Sequence, residues 1–201
     1  MHDILATAFG PFGDFRENPS EAALAAWTPG LPTGWRARKL VLPVSWAEAA
    51  PKLLAALREN TRLVLCLGVA AGRDRVSLER LARNHNDTSL ADAGGARPAA
   101  ETVVPRAPDT LRASLPVEAL AAALQADGIP AEVSDDAGAY LCNHVSYALL
   151  HHLAQQPRTC LAGFIHLPPA DHLSPAEAAR ALQNIVDHIL ADLGDGRVHP
   201  A

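Results

Sequence analysis

Apolar runs of strand length alternate with segments whose apolar residues recur at helical spacing along nearly the whole chain. "DILATAF" (3–9) is the first such run. "NPSEAALAAW" (18–27) follows, with Asn18 placed to cap the free amides of a helix and Pro19 at its first position, where a missing N–H is not needed. "RARKLVLPV" (36–44) predicts a second strand, and Ser45 with Glu48 has the spacing of a capping box that opens a helix through "WAEAAPKLLAALREN". "RLVLCLGVA" (62–70) is apolar almost throughout, as a strand covered on both faces must be. "LPVEALAAALQADGIP" (115–130) predicts a helix closed by Gly128, "AEVSD" a short strand, and "TCLAGFIHLP" (159–168) the last strand. Ser174, Pro175 and Glu177 open a final helix, on which Ala179, Leu182, Val186, Ile189 and Leu193 repeat until Gly194. Between Arg73 and Pro116 the pattern loosens, and an extended surface excursion or a hairpin is expected.

The alternation predicts one α/β domain over residues 1–194 with a largely parallel sheet, followed by a tail at 195–201. Charge narrows the partners. The net charge is −5, and the 17 Lys and Arg residues form no basic stripe, so a phosphate backbone is not an expected partner. No apolar run approaches the roughly 20 residues that span a bilayer, and no charged region followed by an apolar stretch opens the chain, so a cytoplasmic protein without membrane contact is expected. The 3 cysteines include no CxxC pair, which argues against a disulfide framework or a zinc knuckle.

Candidate chemistry centres on "AGAYLCNHVSYALLHH" (137–152). Cys142 lies where a small, flexible lead-in gives way to the helical spacing of Val145, Leu149, Leu150 and Leu153. A helix start and a neighbouring imidazole are the two arrangements that stabilise a thiolate, and the first-turn amides also suit an oxyanion. His166, ending the strand run "GFIHLP", is placed to act as base, and Glu79 in "GRDRVSLERLARN", in the loop-rich section after the central strand, is placed to orient it. Taken singly, each has an ordinary explanation. Free cysteine is among the most buried residue types, and Cys66 and Cys160 fit core positions. A zinc site from Cys142, His144 and His166 would match no common ligand spacing, and no metal is expected.

"AFGPFGDFRENPSEAA", "GVAAGRDRVSLERLARNHND", "DDAGAYLCNHVSYALLHH" and "GFIHLP" resemble, in order and spacing, the hallmark stretches of the pyroglutamyl peptidase I family, from residue 5 to about 168. The most specific part is "AGAYLCNHVSY", similar to the AGxYxCN segment that carries that family's nucleophile. The resemblance implies a single three-layer α/β/α sandwich around a twisted, mostly parallel sheet. It further implies a Cys–His–Glu triad, an acyl-enzyme, no cofactor, and release of N-terminal pyroglutamate from peptides. Carried over by position, Cys142 is the nucleophile, His166 the base and then the acid, and Glu79 the orienting carboxylate. The substrate-binding set becomes Phe9, Phe12, Val69, Leu90, Tyr140 and Leu141, with Ser89 standing in the oxyanion region where the family carries an arginine. Assembly as a homo-oligomer, a tetramer or dimer, is implied as well. Two other readings keep the same pocket: a weak or inactive homologue that binds pyroglutamyl-like ligands, and an amidase for a related N-blocked substrate.

Overall fold

The computed structural model describes residues 1–12, 17–157 and 159–194, so the expected tail at 195–201 lies outside the described residues. In chain order the elements are β1 (His2–Phe9), α1 (Pro19–Ala26), β2 (Trp35–Leu42), α2 (Ala49–Ala55), β3 (Thr61–Val69), β4 (Val76–Glu79), β5 (Leu81–Arg83) and β6 (Thr110–Arg112). They continue with α3 (Val117–Ala126), β7 (Ala131–Ser134), α4 (Leu141–Ala154), β8 (Leu161–Leu167) and α5 (Pro175–Gly194). Six strands form one sheet in the order β2-β1-β3-β8-β4-β7, while β5 and β6 pair as a separate antiparallel ribbon. No helix among the described residues is long and apolar enough to cross a membrane.

Two cores sandwich the sheet, giving the three-layer arrangement. Ile4, Leu63, Leu65, Leu78, Ile165 and their neighbours pack against α1, α3 and α5, whereas Leu5, Phe9, Val64, Cys66 and Phe164 pack against α2 and α4. This two-sided burial explains why β1, β3 and β8 read as continuous apolar runs rather than as alternating ones. Cys66 and Cys160 are both buried in the second core. At the edge of the sheet, β2 is only partly covered, and its Arg36 and Arg38 reach across to the fully buried Asp3 carboxylate on β1.

Every pairing in the large sheet is parallel except β4 with β8. Residues 70–75 alone join β3 to β4, and a parallel return needs a crossover of a dozen or more residues. The chain therefore turns back, and β4 inserts beside β8 in the opposite direction. Glu79 accordingly sits inside a strand, 1 % exposed, and not in a loop-rich section as its surroundings in the sequence suggest.

Most helix signals hold. Asn18 Oδ1 accepts from the Ser20 amide at 3.0 Å, Gly128 closes α3 with φ of 75°, and Ser174 and Glu177 form the reciprocal cap of α5. The Ser45–Glu48 capping box does not form: α2 begins at Ala49, and Glu48 occupies its cap without a side-chain bond. Pro51 is the reason. A regular helix from residue 46 would set its ring against the carbonyl four residues earlier, whereas the later start leaves Pro51 in the first turn, where its missing N–H is harmless. The excursion between Arg73 and Pro116 resolves into β4 and the β5–β6 ribbon, with residues 84–109 folded between the ribbon strands.

Gly163 on β8 marks one tight contact between the sheet and the first core. A Cβ there would lie 2.4 Å from Leu115 Cδ1 and 2.8 Å from its Cγ. Gly163→Ala is expected to destabilise the fold by about 1–3 kcal/mol, the usual range for overpacking. Urea unfolding of the single variant and of Gly163→Ala/Leu115→Ala checks this. The alanine at 163 should cost clearly less in the second background, because the contact has been removed.

Candidate active site

β3 and β8 run side by side with Cys66 opposite Phe164 and Gly68 opposite His166, so these four positions share one face of the sheet. On the far side of β8, β4 places Ser77 opposite His166 and Glu79 opposite Phe164. Glu79 is thus the diagonal neighbour of His166, within reach of its ring. Their contact is 2.7 Å between Nδ1 and Oε1, with both side chains buried. An ionised carboxylate can only accept, so Nδ1 carries a proton and Nε2 is the ring nitrogen left free of this contact.

Arg73, in the β3–β4 connection, donates to the same Oε1 at 2.6 Å and anchors itself on the Asp136 carbonyl at 2.6 Å. Sequence reasoning missed it; its signal was one of three arginines around the candidate carboxylate, Arg73, Arg75 and Arg80, and periodicity does not tell them apart. Burial by itself would raise Glu79. The hydrogen bond and charge of His166, with smaller contributions from Ser134 and Arg73, more than offset that and hold the carboxyl below its ordinary value.

Cys142 is the second residue of α4, whose cap Tyr140 makes no side-chain bond to the free amides. Its Sγ lies over Gly68, 2.8 Å from where a Cβ on that glycine would stand. The thiol makes no hydrogen bond to the His166 ring, and the thiolate expected at this helix start is not favoured at rest. Burial, reinforced by the Glu79 carboxylate and Cys66, pushes the Cys142 thiol up to about 12, against smaller opposing effects of its own amide and of Arg73.

The first turn of α4 is tied to the β5–β6 region by Asn143, which is fully buried. Its Oδ1 accepts from the Arg83 amide at 2.8 Å, and its Nδ2 donates to the carbonyls of Arg83 and His85 at 2.8 and 2.9 Å. His144 is held by Asn86 at 3.0 Å and packs edge-on against Trp46.

Trp46, Tyr140 and Phe12 continue as an aromatic wall, with ring centroids 5.2 and 5.4 Å apart. The same wall grips the loop that carries Ser89 and Leu90: Trp46 Nε1 donates to the Leu90 carbonyl, Tyr140 Oη to the Ala91 carbonyl, and Asp92 accepts from the Trp46 amide. Leu90 is 40 % exposed. Ser89 is exposed too, and its hydroxyl and amide both donate to Asp87, at 2.6 and 2.8 Å. Phe9 ends β1 in the second core, Leu141 is the buried first residue of α4, and Val69 ends β3 opposite Leu167. Trp46 and Asn86 carried no sequence signal, because a single tryptophan before a helix and a polar residue in an irregular stretch have no periodicity to expose them.

The model of the pyroglutamyl peptidase family matches residues 2–191. The chain belongs to that family. Among relatives, the pyrrolidone-carboxylate peptidase of Streptomyces coelicolor is 40% identical over 183 residues, covering 90% of this chain and 85% of that protein. The one from Oceanobacillus iheyensis is 36% identical over 193 residues, covering 93% and 96%. The solved pyrrolidone carboxyl peptidase of Thermococcus litoralis superposes with a TM-score of 0.89 at 31% identity, over 98% of this chain and 97% of that one. Pyroglutamyl peptidase I of Bacillus amyloliquefaciens gives 0.84 at 27% identity, over 92% and 95%.

Burial also pushes Cys66, one strand position pair below the thiol's seat, up to about 12 from 9.0. A folded-state value above the unfolded one means the associated stability is complete below pH 9 and is lost as pH rises from 9 toward 12. At pH 10 one such thiol costs about 1.4 kcal/mol. Urea midpoints under reducing conditions at pH 8 and pH 10 are expected to differ less for Cys66→Ala than for the unaltered protein. Equal differences would mean that Cys66 ionises as freely in the folded chain as in the unfolded one.

Proposed function

We propose that the chain is a cysteine peptidase that removes an N-terminal pyroglutamyl residue from peptides, with Cys142 as nucleophile, His166 as base and then acid, and Glu79 as the orienting carboxylate. The observation that carries this reading is the 2.7 Å bond from His166 Nδ1 to a buried Glu79, with the Cys142 thiol seated over the neighbouring position of the adjacent strand. Membership of the pyroglutamyl peptidase family and the names of the relatives supply the substrate class.

The chemistry follows from the groups present. On substrate binding, Nε2 of His166 takes the thiol proton as sulfur attacks the exocyclic carbonyl of the pyroglutamyl residue. The negative charge that develops on that oxygen faces the free amides of the first turn of α4. Collapse breaks the C–N bond, His166 returns the proton to the departing amine, and an acyl-enzyme remains. Water, deprotonated by the same imidazole, attacks it and frees pyroglutamate and the thiol. Glu79 stays ionised throughout, holding the imidazole tautomer and balancing the imidazolium.

The ring itself is a lactam without a free amine, so a flat apolar slot suits it better than an anionic pocket. In this reading the part-buried Phe12 and Tyr140 supply such surface, backed by the buried Phe9 and Leu141, with Val69 and Leu90 as its flanks. Ser89, engaged with Asp87, offers no cation to the oxyanion, which leaves that task to backbone amides.

The decisive assay is release of a fluorogenic amine from its pyroglutamyl amide. Wild type should turn it over, and Cys142→Ser should lower kcat by about a thousandfold or more without shifting the thermal midpoint appreciably. Ser89→Arg, with a side chain long enough to leave the Asp87 contact, is expected to raise kcat. A folded wild type that binds pyroglutamate in calorimetry yet releases no amine would instead make it a binding protein, and release only from other acyl amides would make it an amidase.

A further inference from the structure

We propose that Gly68 is a positioning residue, whose missing side chain forms the seat that holds the Cys142 sulfur beside His166. The inference rests on the reading of Cys142 as nucleophile, and it adds a role for a strand residue that contributes no functional group of its own.

Gly68 lies near the end of β3, directly opposite His166 on β8, and adjacent strands of a sheet run about 4.8 Å apart. A sulfur resting on the backbone of Gly68 therefore lies over the strand next to the one that carries the imidazole. The fit is close on two sides. A Cβ at Gly68 would stand 2.8 Å from Cys142 Sγ, and 2.8 and 2.9 Å from Cζ and Cε1 of Phe164. Phe164 is 1 % exposed and its ring lies 4.9 Å from that of His166, so it has little room to retreat. The sulfur is the freer neighbour, because Cys142 is only part-buried. Any side chain at position 68 thus lifts the thiol off the sheet. On β1, two residues beyond the Thr7–Cys66 pair, Phe9 points to the same face on the opposite side of Gly68. The seat accordingly lies between a phenyl face of the pocket and the base, and its depth sets where sulfur meets the carbonyl of a ring lying on Phe9. The titratable groups around the sulfur are Cys66 on β3, Glu79 on β4, Arg73 in the β3–β4 connection and Tyr140 at the cap of α4, with His166 on the adjacent strand, and none of them is replaced by a methyl group at 68.

Three variants test this. Gly68→Ala should lower kcat for the pyroglutamyl amide at least tenfold with KM within about threefold, since the ring surface is untouched. In Gly68→Ala/Phe164→Leu, which relieves the clash with the phenyl ring but not with the sulfur, the thermal midpoint should recover while kcat does not. In Gly68→Ala/Cys142→Ala, which removes the sulfur, the loss of thermal midpoint caused by the alanine at 68 should be smaller than in the unaltered background. That last comparison needs no catalysis and remains readable if the single variant does not fold. The proposal is overturned if Gly68→Ala keeps near-normal kcat, if relieving Phe164 restores kcat together with stability, or if removing the sulfur leaves the cost of the alanine unchanged. A wild type without turnover would sink the peptidase reading alone, and the thermal comparison would still decide the seat.

Discussion

The structure around the site depends on keeping one carboxylate charged where no water reaches it. Glu79 has no exposed side-chain surface, and isolated burial of such a group would drive it to its neutral form. Two donors on a single oxygen prevent that: His166 from the neighbouring strand and Arg73 from the preceding connection. Both are fixed by the direction of β4. Were β4 parallel to β8, the pairing that sets Glu79 opposite Phe164 and diagonal to His166 would not exist, and the connection carrying Arg73 would have to be a long crossover. The antiparallel strand is the device that turns a buried glutamate into a support for the imidazole.

The proposed nucleophile arrives from another direction and needs its own anchors. α4 delivers Cys142 in its first turn, and a helix start is where backbone frays most readily. Asn143 and His144 counter this by binding the irregular stretch after β5, through the Arg83 and His85 backbone and through Asn86. That stretch in turn is bound to the aromatic wall by Trp46 and Tyr140. The long excursion between β5 and β6 is therefore part of the machinery that fixes the cysteine, and its loose hydrophobic pattern reflects stabilisation by specific polar contacts.

Strands and helices with strong periodicity were legible in the sequence because burial on both faces writes continuous apolar runs into β1, β3 and β8, and cap chemistry writes Asn18, Gly128 and Ser174 at helix ends. β4 and β5 were not, being too short to show a period and separated by a single residue. The capping-box spacing of Ser45 and Glu48 misled because a proline further on overrode it. At the site, Cys142, His166 and Glu79 could be named from their segments, but the direction of β4 and the convergence of Arg73 on Glu79 are properties of strand pairing. So is the emptiness at Gly68, which in sequence is one more small residue closing an apolar run.

The neutral state of the Cys142 thiol and the proposed substrate share a cause. A pocket that accepts an uncharged lactam must be apolar and poorly hydrated, and the same dryness penalises a resting thiolate, whatever the helix start offers. A site cannot be dry for the ring and also store a free anion at sulfur, unless a fixed cation stands beside it. Ser89 does not supply that cation, and Arg73 is already committed to Glu79. In the proposed mechanism deprotonation coincides with attack, with the proton passing to His166 as the charge moves from sulfur to the carbonyl oxygen and the α4 amides. The cost of forming the anion is met in the transition state, where those amides and Glu79 act, so stabilisation is concentrated where it raises the rate.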